Sequence, residues 1–203
     1  MVGLSLAAPA AAQHAPALSI RPFAMVTGQS FAAIDTFDAA FGKTSFPFFG
    51  GGVQVLINDR FFAELGASRF RKTGERAFLS GGKAFKLGTP LTATITPFEI
   101  TGGYRFRLRK LPRVRPYAAA GIGSYSYQET SSFADAGDDV DTRHTGFVLN
   151  GGAEFLLHRW VGLAVDLQYS HVPGILGTGG VSQQAGESDL GGVAARFKLV
   201  VGR

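Results

Sequence analysis

GFVLNGGAEFLLHRWVGLAVDLQYS, residues 146–170, decides the fold through its alternation. Phe147, Leu149, Phe155 and Leu157 share one parity, and Asn150 and Glu154 take the other. After His158-Arg159 the pattern resumes, with Val161, Leu163, Val165, Leu167 and Tyr169 set against Asp166, Gln168 and Ser170. A period of two is the mark of a β-strand with two unlike faces. Two carboxylates, Glu154 and Asp166, therefore sit inside otherwise apolar strands. Whether they face water or a closed interior separates the functions open to this chain.

The same rhythm runs through most of the sequence. Strand-like runs occupy 18–28, 46–57, 61–73, 91–108, 116–129, 145–158, 161–173 and 190–201, with no convincing 3.6-residue apolar stripe between them. The connections at 58–60, 109–115 and 158–160 are short. Those at 29–45, 74–90, 131–144 and 174–189 are long and rich in Gly, Ser, Thr and Asp. Strict alternation of short and long places every long loop at one end of an antiparallel barrel and both termini at the other. The expected fold is all-β: an eight-stranded antiparallel up-and-down transmembrane β-barrel, whose strands of 9–11 residues or more suffice to cross a bilayer.

Composition agrees. In 203 residues only 17% are charged and 28 are Gly, and no run of eighteen apolar residues marks a membrane helix. Cys is absent, which excludes disulfides, thiol nucleophiles and cysteine metal sites. The net charge of +5 is too modest to call for nucleic acid. Residues 1–16 carry no charge except the terminus, and Ala10-Ala11-Ala12 supplies small residues for a cleavage before Gln13. They read as a signal-peptide remnant or a disordered arm, leaving 17–203 as a single barrel domain.

The polar parity is small or uncharged, with a few charges of both signs, and a solvated face would carry more Lys and Glu. Such a set suits the inside of a narrow barrel, which side chains just fill. Glu154 and Asp166 are thus expected in the lumen with Glu64 and Glu99, paired with Arg21, Arg105, Arg107 and Arg196. Tyr104, Tyr117, Tyr125, Trp160 and Tyr169, near strand ends, are expected in interfacial girdles. One defect interrupts the pattern. Ala93, Ile95 and Pro97 occupy odd positions, whereas the apolar residues from Phe98 onward occupy even ones. Either a bulge near Pro97 repairs the register or the strand begins near Phe98.

TPFEITGGYRFRL (96–108), RPYAAAGIGSYSY (115–127) and GGAEFLLHRWVGLAVDLQYSHV (151–172) resemble the small outer-membrane β-barrel domain family, the OmpA/OmpW-like group. The resemblance implies an eight-stranded barrel in the outer membrane of a Gram-negative-type bacterium, inserted by the barrel assembly machinery and surrounded by outer-membrane lipids. Members usually end on an aromatic residue, whereas this sequence ends Val-Val-Gly-Arg, and cell-wall anchoring through a peptidoglycan-binding domain is not expected.

The functional expectation is a structural or interaction role, with an unknown ligand at the loops and a narrow channel or path for small apolar molecules as its finer form. A soluble lipocalin-like barrel with its apolar parity turned inward is one alternative. A lipid A-modifying enzyme is another. Lipid A deacylases, which this chain resembles in its late-strand His, need a Ser two residues after that His and an acidic partner, whereas here Ser170 precedes His171 and points to the opposite face of the strand. Asp135, Asp138, Asp139 and Asp141 lack the Gly and terminal Glu of a calcium loop, and His14, His144, His158 and His171 lack zinc-ligand spacing. No catalytic residue, cofactor or metal is expected.

Overall fold

The computed structural model describes residues 17–81, 83–131 and 140–202. Eight strands close into one barrel in chain order, each antiparallel to its neighbours. They are β1 (Leu18–Phe31), β2 (Ser45–Ile57), β3 (Phe61–Ser80), β4 (Lys83–Arg105), β5 (Val114–Thr130), β6 (Val140–His158), β7 (Val161–His171) and β8 (Gly192–Val201). Closure comes from β1 pairing with β8 from Phe23↔Val200 to Phe31↔Gly192, so no edge remains open. The expected signal-peptide remnant at 1–16 lies outside the described residues, as do Asp135, Asp138 and Asp139.

The short connections lie at one end, and local chemistry makes them. Asn58 and Asp59 both take positive φ, 53° and 56°, the pairing of a type I′ turn that matches the twist of a hairpin. Asn58 also accepts a hydrogen bond from the Ala17 amide through its side chain, tying the start of β1 to this turn.

The opposite end differs from expectation in three ways. First, the expected loop at 74–90 is mostly ladder. β3 and β4 continue to pair up to Ser80↔Lys83, with one register shift between Glu75 and Ala77. At 20 and 23 residues they are about twice the length a membrane requires, so the hairpin stands well clear of it. Second, two helices stand in the other connections: α1 (Ile34–Phe41) between β1 and β2, and α2 (Gly180–Ala185) between β7 and β8. At eight and six residues they are too short to print a clear helical period on the sequence. Third, β4 neither bulges at Pro97 nor begins at Phe98. Its pairing with β5 holds one register from Thr92↔Thr130 to Arg105↔Tyr117. Odd residues face inward throughout, and what changes at Pro97 is the chemistry of the interior.

On the half nearer the short turns, the outward face is apolar. Phe49, Ile100, Ile122, Leu149, Leu167 and Phe197 are all exposed there. Toward the long loops the apolar residues turn inward. Phe31, Phe37, Phe46, Phe48 and Phe70 form one buried cluster with Ile95, Tyr125 and Tyr127. Phe37 of α1 lies flat on Phe31 with ring centroids 3.9 Å apart, and Phe70 packs against Phe46 and Phe48 at 5.1 and 5.3 Å.

Candidate functional site

The lumen is layered. At the turn end, Glu154 is buried between Arg21, which donates to one carboxylate oxygen, and Arg105, which donates to the other at 2.9 Å. Gly162 makes room for this group, because a Cβ there would come within 2.4 Å of the Glu154 carboxylate. Arg105 also reaches Asp59 at 3.0 Å, so the positive-φ turn supplies a second carboxylate to the same cluster.

Above this lies an apolar belt of Phe23, Leu56, Phe62 and Val200. Gly103 is required beside it, since a Cβ would fall 2.4 Å from the Phe62 ring. Next comes a second ionic layer. Asp166 and Arg196 are direct cross-strand partners, and the Arg196 Nε donates to the Asp166 carboxylate at 2.5 Å. The Tyr117 hydroxyl donates to the other oxygen of Asp166 at 2.5 Å. Lys198 donates to Glu64 at 2.5 Å, stands 3.4 Å from Asp166, and lies over the Phe23 ring at 5.2 Å. Glu99 accepts from Tyr125 and from Gln168, both at 2.7 Å, and pairs with Arg196 at 3.6 Å.

Among the described residues, four cations (Arg21, Arg105, Arg196, Lys198) thus face four carboxylates (Glu64, Glu99, Glu154, Asp166) inside the wall. Matched in this way, each charge recovers part of the large cost of leaving water. Seven of the expected lumen residues meet here: Arg21, Glu64, Glu99, Arg105, Glu154, Asp166 and Arg196. Arg107 does not. It lies past the end of β4, half-exposed, bridged to Asp59 at 2.9 Å on the turn-end rim. The strand stops before the alternation would have carried its side chain inward.

A period-two outer wall, closed edges and a charged interior are the features of a transmembrane barrel, and a family comparison agrees over nearly the whole chain. Residues 2–196 match the model of the outer membrane protein beta-barrel domain. The chain belongs to that family. Its fold is shared by two solved structures from Pseudomonas aeruginosa, each 12% identical in sequence. One is the outer membrane protein OprG, with a TM-score of 0.56 over 92% of this chain and 95% of that one. The other is the N-terminal β-barrel domain of OprF, with a TM-score of 0.51 over 91% and 97%. No curated protein matches the chain significantly.

In this outer-membrane barrel the expected girdle is only half present. Trp160 at the β6–β7 turn and Tyr169 on β7 are exposed, and Tyr104 packs edge-on against Phe61 and Phe106 at 5.1 Å. Tyr117 and Tyr125 are instead buried in the lumen, their hydroxyls spent on Asp166 and Glu99. Position near a strand end suggested a girdle, but parity sends both rings inward, where a hydroxyl satisfies a carboxylate.

Lys198 and Gln168 are the participants the site expectations left out. Lys198 shares the parity of Arg196, but its partner Glu64 is 134 residues away. Nothing local announces that pair.

Between the ionic layer and the phenylalanine cluster is a cavity of only about 30 Å³, bordered by Gln29, Gln168 and Arg196 among others. Beyond the phenylalanines the barrel opens into a cup of about 560 Å³, walled by α2, α1 and the β3–β4 hairpin. Glu187 organises this end. Its carboxylate accepts from the amides of Asp35 and Thr36 at 3.0 and 2.8 Å and from the Thr36 hydroxyl at 2.6 Å. It therefore serves α1 as the cap that Ala33 cannot provide. At the neighbouring rim, His171 Nδ1 lies 2.6 Å from Asp189, while Ser170 points into the lumen and is buried.

Proposed function

We propose that the protein is a closed barrel whose working surface is its loop end, where the cup takes a small amphiphilic ligand. The observation that carries this reading is the stack inside the wall. The phenylalanine plug and the ionic layer beneath it leave a cavity of only about 30 Å³ between them, roughly one or two waters, which argues against an aqueous path from mouth to mouth. The cup, in contrast, has the size of a small-molecule site and an apolar floor of Leu91, Ile175, Leu176 and Val181, with Thr36, Glu75 and Glu129 as polar groups on its wall. Long loops of such barrels face the cell exterior, so the cup would open outward from the outer membrane of a Gram-negative-type bacterium. Insertion by the barrel assembly machinery is the route this reading requires.

A channel for small solutes is the competing form. Planar-bilayer recordings on the refolded full chain distinguish the two. Silence from the native protein is expected, and discrete conductance steps would sink the closed-barrel reading. The soluble lipocalin-type alternative requires the apolar parity inward, and the spanning half carries it outward. For lipid-modifying chemistry the geometry offers no support at the His171 rim, because the buried Ser170 hydroxyl lies on the other face of the sheet.

A further inference from the structure

The apolar outer band does not end the same way around the barrel. On β3, Ala67 is followed on the outward face by Arg69 and Arg71, and on β4, Phe98 is followed by Thr96, Thr94 and Thr92. On β5 and β6 the matching outward residues are Ser124 and Ser126, then Thr145 and Arg143. The ladder aligns them. Thr96 pairs with Ser126, Ser126 with Arg143, and Arg69 falls opposite Thr96 in the register that Ala67↔Phe98 and Phe70↔Ile95 define. Arg69, Thr96, Ser126 and Arg143 thus form one transverse row across four strands, about 14 Å from end to end at the usual strand spacing. Arg71 stands about 7 Å above Arg69.

The three guanidiniums are exposed, and among the described residues none has a hydrogen-bond or ion-pair partner. The outward face of β3–β6 carries no carboxylate until Asp141, which Gln128 holds at 3.1 Å. Phe49 pairs with Arg69 at the β2 end of the row, Phe98 lies one outward position below Thr96, and Ile122 and Phe147 lie two below Ser126 and Arg143; all four are exposed and belong to the apolar band. On β1 and β2, which adjoin β3, the outward residues of the same zone are Gly28, Ser30, Ser45 and Pro47, none of them charged.

We propose that this row is a headgroup site for a phosphorylated glycolipid of the outer leaflet. Guanidiniums take the phosphates in two-pronged fashion, the Thr and Ser hydroxyls meet the sugar, and the phenylalanines lie along the acyl chains. The site rests on the membrane reading, because only a bilayer holds headgroups at this height beside the band. Unpaired cations placed along the upper edge of an apolar band match an amphiphile with anionic groups at its neck. They do not match a free anion, which has nothing to gain from the phenylalanines.

The test uses the full chain, folded in detergent, with native mass spectrometry counting bound lipopolysaccharide, its enzymatically dephosphorylated form, and inorganic phosphate. Heat-modifiable migration on gels first confirms that each variant is folded and membrane-competent. A chain that fails there overturns the membrane reading itself, separately from this site. The triple variant Arg69→Ala/Arg71→Ala/Arg143→Ala is expected to lose affinity for lipopolysaccharide by at least roughly tenfold. The dephosphorylated lipid should bind the native chain as weakly. A control at the turn end, Arg109→Ala/Arg113→Ala, should bind like the native chain. Retention by the triple variant within twofold of native, equal binding of the dephosphorylated lipid, or full displacement by millimolar phosphate would each overturn the site.

Discussion

The two halves of this barrel are opposite in construction although the same strands build both. From the short turns to about Pro97 the wall is apolar outside and charged inside. From there to the loops it is polar outside and apolar inside. Each half places its apolar side where water is absent, toward lipid in one and toward the capped interior in the other. β4 shows the change on one continuous strand. Ile100 faces out and Thr101 is buried, whereas Thr94 lies on the outer face and Ile95 is buried. The hydrophobic effect is blind to which face of a sheet is called inside.

Substitutions can break that contrast. The largest effect is expected at Asp166, where Asp166→Ala would leave Arg196 only Glu99 at 3.6 Å, Lys198 only Glu64, and the buried Tyr117 hydroxyl without its acceptor. A loss of about 3–5 kcal/mol, seen as a lower urea midpoint for unfolding in lipid, is expected. An unchanged midpoint would mean that water reaches those cations. In the other half Phe37→Ala should cost about 3 kcal/mol, yet locally, because α1 caps the barrel without being part of its ladder. Hydrogen exchange should rise in α1 and at its Phe31 contact while β7 and β8 stay protected. Uniform deprotection would show the two halves to be one cooperative unit.

The outer faces sharpen the comparison further. Leu149→Arg, in the band, should destabilise the barrel by about 2–4 kcal/mol, whereas Thr94→Arg, above it, should fall within about 0.5 kcal/mol of native. Similar costs at the two positions would place the bilayer boundary elsewhere. Among the destabilising changes the smallest is Glu187→Ala, which removes the cap of α1 at a cost of about 1 kcal/mol and should raise proteolytic cleavage within α1 without altering the heat-shifted gel band.

Much of this was legible along the chain. Alternation around Glu154 and Asp166, together with short and long connections in turn, specifies eight antiparallel strands. A narrow closed barrel then leaves the polar parity nowhere to go but inward. The misreadings share a cause. Arg107 is expected inside from its parity, and Tyr117 and Tyr125 outside from position near a strand end; a small difference in where a strand stops, or in which parity a ring takes, reverses the face. The phase change at Pro97 looked like a fault in register because a strand with a single environment would need one. α1 is anchored by Glu187, 152 residues from Asp35, and no local pattern could reveal it.

By itself, then, the sequence determined the architecture, because a period of two and the rhythm of connections are local properties that only one closed sheet satisfies. It determined as well that the spanning wall would enclose charge. The tertiary structure alone decided which charges meet, as in Lys198 with Glu64 and Arg21 with Glu154, and where the interior turns from ionic to aromatic. Those are contacts between residues more than a hundred positions apart. They are set by the stagger of strands around the barrel and by helices folded back over its mouth, and neither is written in any one stretch of the chain.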